Sequence, residues 1–488
     1  MMNRKCIVCI VKIVVFLCIL SIIIYCTGMV FREKTNIHKN RDFFLQKEDF
    51  DVLFFGSSHM EIYVNPMDLW EDFGIVSYNF GNPEESIETS YWLMKNAISV
   101  HKPKVIVFDV AMFNLCENNT NKDHLHYALD SFPISRYKLE AINEALQDSN
   151  EKIEMFFTLG SYHSRWKELD EGDFTNLEHY VKGNMSYGYW HTTKVTPTEQ
   201  YPLVNGEREN SEKDQEALYK IISMCKQEGI ELLFVANPYC SQDYKQQSIH
   251  SVQAIAEKEN VDFINFIDED FVTDYKVDYY DDDHVNQSGM HKVTYCLGDY
   301  ISKKYDVRDY RNDSRYDSWM KDYENYKQLK LEALGQMADD INTFLELLHD
   351  SDYETTVFIG KDFEYAVDNE LVNDLLQNIG RENLIIKDKD EFKSSDIYPL
   401  NMLENCVGND NYIFTVCSGR VEKEQSGLDA VKNINDVCEG KAMISTDEMV
   451  VCVSEVGNRV PRIVRKYSSD GISHEDLVYN IENILSTW

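Results

Sequence analysis

DVLFFGSSH, residues 51–59, decides how the chain is read: a short apolar run of strand character stops abruptly at a glycine followed by two serines and a histidine. A run of this length bounded by turn residues reads as a buried strand. Similar runs follow at residues 76–81 (VSYNFG), 104–110 (KVIVFDV), 230–239 (IELLFVANPY) and 262–268 (DFINFID), and helical patterns over residues 86–101, 211–229 and 244–259 lie between them. Strands that alternate with helices in this way build a parallel sheet covered on both faces, joined by right-handed crossovers. Ligands of such sheets bind outside the carboxyl ends of the strands. Gly56-Ser57-Ser58-His59 falls at one of those ends.

A serine hydroxyl there is exposed at the head of the following helix, and it becomes a nucleophile only when a base takes its proton. Taken alone, a Gly-Ser-Ser turn is commonly just a turn or a helix cap. The base is expected much later, in YYDDDHVNQSG, residues 279–289, which follows the fifth strand and precedes a helix. That position puts His284 on the same rim as Ser58. An aspartate three residues earlier can reach round the turn to Nδ1 and fix the tautomer. Asp281 is that residue, with Asp282 the alternative. The three consecutive aspartates also offer oxygen ligands, but the glycine and closing glutamate of a calcium loop are missing.

These residues resemble the SGNH or GDSL hydrolases over about residues 50–305: Gly56-Ser57-Ser58 is similar to the family's Gly-Asp-Ser element, with Ser57 in place of Asp, and Asp281-x-x-His284 to its late Asp-x-x-His element. The resemblance is nearest to the membrane-anchored branch with the D-alanyl-lipoteichoic-acid biosynthesis protein and the alginate O-acetylation proteins. It implies a flavodoxin-like sheet, a Ser58, His284 and Asp281 catalytic set, and oxyanion donors at Gly81 after the second strand and Asn114 after the third, with Asn82 a rival. No Gly-x-Asn-Asp motif surrounds Asn114. His59 is expected either to line the pocket or merely to start a helix.

About a hundred residues, 111–210, separate the third strand from the next helix, far more than an ordinary loop. This insert carries SYHSRW (161–166) and SYGYW (186–190), which suit a lid over the site or the packing of a helical subdomain. His163 and Arg165 are its substrate-binding candidates, since a guanidinium clamps carboxylate or phosphate. Residues 45–305 thus form the catalytic unit. Residues 306–348 read as a helical linker, and 349–488 as a smaller α/β domain with strands near 355–360, 412–424 and 442–453 and a helix over 364–380. This last part resembles the interleukin-like EMT inducer domain, which implies a module that binds glycan or a partner protein; a purely structural domain is the other reading.

The run IVVFLCILSIIIYCTGMVF, residues 13–31, carries no charge. As a helix it covers roughly 28 Å, enough to cross a bilayer. Arg4, Lys5 and Lys12 precede it, so residues 1–12 are expected in the cytoplasm and everything beyond the anchor outside, although Arg32 and Lys34 reduce the contrast. A cleaved signal peptide competes with this reading, but no small-x-small cleavage site follows. The excess of 84 acidic over 48 basic residues, a formal charge of -36, argues against nucleic acid as a partner. No CxxC spacing points to zinc, and the expected chemistry calls for no metal or organic cofactor. The expected function is that of an extracytoplasmic serine esterase or O-acyltransferase on a cell-envelope polysaccharide or related acylated polymer, with the membrane and a multi-spanning acyltransferase as partners. The alternative is an inactive SGNH-fold scaffold or glycan-binding protein in polymer assembly.

Overall fold

The computed structural model describes residues 4–31, 40, 43–44, 46–115, 122–175, 192–268 and 273–337, together with six strands between 353 and 477. The chain divides into two compact units, residues 1–191 with 197–324, and residues 192–196 with 325–488.

In the first unit the five expected strands are β1 (Val52–Phe55), β2 (Ser77–Asn79), β3 (Val105–Asp109), β4 (Glu231–Ala236) and β5 (Asp262–Asn265). They pair in the order β2-β1-β3-β4-β5, every pair parallel. This is the flavodoxin-like doubly wound order, whose crevice lies where the strand order reverses beside β1. Each strand is shorter than the sequence run that announces it, because residues such as Gly56, Phe80 and Asn237 already turn away at the rim.

Helices cover the sheet. Ser86 caps Ile87–Ile98 by accepting from the Thr89 amide, Ser211 caps Glu212–Glu228, and Gly229 ends that helix at a φ of 66°. Asn286 caps Gln287–Lys304. On the latter, Met290, Val293, Leu297 and Ile301 recur at helical spacing, are fully buried, and pack with Val52, Phe54, Val107, Leu233 and Val235 from the sheet. Each such side chain contributes about 1.5–3 kcal/mol on burial, so this stripe fixes the helix that follows His284 against the strand that precedes Ser58.

The insert contains helices Lys122–Leu129, Arg136–Ala145, Ser149–Phe156, Thr158–Tyr162 and Glu171–Thr175 with a 3-10 turn at His163–Lys167. Its SYGYW stretch lies outside the described residues. Residues 306–313 differ from the expected linker helix. Asp309 pairs with Arg311, whose guanidinium also donates to the Glu71 carbonyl, and the Tyr310 hydroxyl donates to Asp51 at 2.9 Å. These side chains hold residues 306–313 in a non-helical course; a 3-10 turn at Ser314–Tyr316 then leads into the helix Asp317–Gln336.

In the second unit, β6 (Tyr353–Ile359), β7 (Ile385–Lys387), β8 (Tyr412–Cys417), β9 (Met449–Glu455), β10 (Ile463–Tyr467) and β11 (Ser473–Leu477) form a sheet of order β11-β10-β9-β6-β8-β7. All of its pairs are antiparallel. The sequence announces β6, β8 and β9; the helix expected over 364–380 lies outside the described residues.

At the N-terminus the helix Arg4–Phe31 contains the stretch Cys9–Phe31, with a mean hydropathy of 2.9, long and apolar enough to cross a membrane or to serve as a signal sequence.

Candidate active site

β1 ends beside β3, and Gly56 follows it with a φ of 145°; a Cβ here would stand 2.6 Å from the Asp109 Cβ. Only glycine permits that approach. Ser57 then adopts an extended conformation and caps the four-residue helix Ser58–Glu61, its Oγ accepting from the His59 amide while donating to Asp109 Oδ2 at 2.8 Å. Asn79 at the end of β2 locks the same helix from below, its Nδ2 donating to the carbonyls of Met60 and Val64, both at 2.7 Å. Asn237 after β4 does likewise, donating to the His59 carbonyl at 2.8 Å. Three strand ends therefore fix the segment that presents Ser58, the one partly exposed residue among Gly56–His59.

The later segment is a tight hairpin. Tyr280 donates its amide to the His284 carbonyl, Asn286 donates to the Asp278 carbonyl, and Asp281 Oδ1 accepts from the Asp283 amide at 2.9 Å. The turn folds Asp281 back against the histidine it precedes, with Oδ1 and Oδ2 at 3.0 and 3.2 Å from Nδ1. On its other side His284 Nε2 lies 2.9 Å from Ser58 Oγ, across 226 residues of sequence. Ser58, His284 and Asp281 form one hydrogen-bonded array. The Tyr280 ring stacks on the imidazole at 5.4 Å and 14°, which restrains its plane.

The neighbouring aspartates do not share this role. Asp282 accepts from the Thr198 hydroxyl at 2.6 Å, and Asp283 pairs with Lys245 at 3.0 Å. The three carboxylates diverge, and among the described residues no cluster of His, Cys, Asp and Glu could hold a metal ion.

His59 lies beside the array, its ring 5.5 Å from that of His284 and 4.3 Å from that of Tyr239. Burial first, then the charges of His284 and Lys245, push its pKa well down, so it stands neutral. Its ring packs against the imidazole of the array as well as starting the helix. Tyr63 and Tyr239 pack around it, and burial raises the Tyr63 phenol well above its ordinary range.

The expected oxyanion donors stand differently. The Gly81 amide already donates to Asn79 Oδ1 at 2.9 Å. The Asn82 side-chain amide is taken by the Phe80 carbonyl and the Glu85 carboxylate. Asn114 accepts on Oδ1 from the Ser211 amide at 2.6 Å and donates its backbone N–H to Asp214 at 2.8 Å, so it braces the start of helix Glu212–Glu228, while its buried Nδ2 meets no acceptor among the described residues. The described residues offer no acceptor to the Ser58 amide, which is the backbone donor left beside the nucleophile. The insert candidates are also engaged elsewhere: Arg165 with Asp173 and the Phe31 carbonyl, His163 with the Gly160 carbonyl. Asp109, which the sequence reading passed over, sits at the carboxyl end of KVIVFDV, where a buried acid beside β1 was visible. Desolvation pushes its pKa up to about 7 despite hydrogen bonds from Ser57 and the Ala111 amide.

No protein-family model matches the sequence, and no curated protein matches it. Among solved structures the chain is similar to a Bacteroides fragilis protein described as an acylhydrolase, at 10% identity and a TM-score of 0.29, over 56% of this chain and 98% of that one. It is similar also to a G-D-S-L family lipolytic protein from Desulfitobacterium hafniense, at 13% identity and a TM-score of 0.26, over 52% and 97%.

Proposed function

We propose that the chain is an extracytoplasmic serine esterase or O-acyltransferase that works on a cell-envelope polysaccharide or a related polymer through an acyl-Ser58 intermediate. The observation that carries this reading is the 2.9 Å contact between Ser58 Oγ and His284 Nε2, with Asp281 on the far nitrogen. His284 takes the hydroxyl proton as Ser58 attacks an ester carbonyl, and Asp281 steadies the imidazolium. The Ser58 amide receives the developing oxyanion. His284 then returns the proton to the departing alcohol, and water or a sugar hydroxyl resolves the acyl-enzyme.

The apolar N-terminal helix and the resemblance to the membrane-anchored branch favour a polymer outside the cell, with a multi-spanning membrane acyltransferase as the source of acyl groups and the C-terminal sheet as a module for glycan or a partner. The test is to incubate the full chain with p-nitrophenyl acetate and locate the acetyl group by peptide mass spectrometry, then add polysaccharide acceptors. Acetyl on Ser58, absent from Ser58→Ala, is expected. Turnover with no acetyl at Ser58 contradicts the reading, and transfer to the acceptor rather than to water distinguishes transferase from esterase.

A further inference from the structure

Residues 27–31, the last turn of the apolar N-terminal helix, are shielded, whereas residues 9–26 are exposed throughout. The insert does the shielding, through Thr158–Tyr162, the 3-10 turn His163–Lys167 and Glu171–Thr175. The attachment is polar where the helix ends. Arg165 donates Nη1 to the Phe31 carbonyl at 2.7 Å and Nη2 to Asp173 at 3.0 Å, so one guanidinium ties the carbonyl of the helix's last described residue to the insert. Each shielding element, or the residue that caps it, also turns a large aromatic outward: Phe157 is 60% exposed, Trp166 62% and Phe174 55%. Ile153, one helix earlier, is exposed as well.

We infer that these aromatics form a collar seated in the outer headgroup region of the bilayer that the helix crosses. Trp gathers at that depth because its ring is apolar while its indole N–H meets water, and neighbouring Phe side chains bury their apolar rings at the boundary of headgroup and acyl chain. The occupant follows from continuity, since the aromatics belong to the elements that pack on the end of a helix apolar enough to cross a bilayer. The inference rests on the helix being a retained anchor rather than a cleaved signal.

The collar is joined to the reacting serine by a short run of contacts. Tyr162 donates to Asp130, which also pairs with His126; Tyr127, next along the helix, donates to Glu61 in the helix that begins at Ser58. Seating the collar holds the array close to the lipid surface, where acyl donors and growing envelope polymers are found.

The test uses the full chain in nanodiscs of phosphatidylcholine brominated either just below the headgroup or deep in the acyl chain. The conservative Trp166→Phe variant removes the reporter without a buried change. Shallow bromines are expected to quench the part of the emission that Trp166→Phe lacks, and deep bromines to quench it less. Equal quenching of both proteins, in a chain that floats with the discs, means that the aromatics face solvent or protein and overturns the collar alone. A chain that does not float, or that is recovered without residues 1–31, overturns the anchor and the collar together.

Discussion

Asp281 has 44% of its side chain exposed, so water screens much of what it lends to the imidazolium. Asp281→Asn is expected to slow acyl-enzyme formation by on the order of 10²-fold in rapid-mixing kinetics, less than the ~10⁴-fold typical of a buried triad acid. A loss as large as that of Ser58→Ala contradicts this. Asp109 is the opposite case. Its carboxyl is buried, with a folded pKa of about 7 against about 4 in an unfolded chain, so the native state holds the proton more tightly. Its contribution to stability is fully present below about pH 4 and is lost as pH rises toward about 7. Asp109→Asn should flatten that limb of the melting-temperature profile; an unchanged slope is the contrary result. Ser58, His284 and Asp281 are legible in sequence because strand ends are visible and Asp-x-x-His is a local turn. Which of Gly81, Asn82 and Asn114 has a donor to spare is not legible in sequence, because a donor's availability depends on partners such as Asn79 and Glu85, which only the fold supplies.

The turn after β1 and the turn after β2 clamp the helix Ser58–Glu61 between them. A Cβ on Gly81 would come within 2.2 Å of the Glu61 amide nitrogen, which is backbone and cannot give way. Gly81→Ala should therefore cost about 1–3 kcal/mol in urea unfolding of the full chain and displace the nucleophile. Gly229, at a φ of 66° with open space around it, should cost only ~1 kcal/mol when changed to Ala. The comparison fails if the two variants are equally stable and equally active. The five parallel strands are legible because each is buried and apolar. In the second sheet β7, β10 and β11 are missed: β7 and β11 are edge strands, the first only three residues long and the second polar, SHEDL at Ser473–Leu477, while β10, IVRKY, breaks its apolar run with Arg465 and Lys466. Residues 306–313 are misread as helix because their order comes from ion pairs and tyrosine hydroxyls rather than from a periodic apolar face.

At the scale of the whole molecule, a strongly acidic chain carries near its N-terminus an uncharged run, residues 13–31, long enough to cross a bilayer. Alkaline carbonate extraction of membranes should leave the full chain in the pellet; release into the supernatant contradicts a spanning helix. Both the apolar run and the charge are plain in the sequence, whereas the shielding of the helix end by the insert is not, since it joins Phe31 to Arg165 across 134 residues. The account as a whole depends on Ser58 being an activated nucleophile that needs no metal. Fluorophosphonate labelling of the full chain in EDTA tests this most directly. Covalent labelling of Ser58, abolished in Ser58→Ala and in His284→Ala, is the predicted result, and an unlabelled wild-type chain, or one labelled equally well in Ser58→Ala, contradicts it.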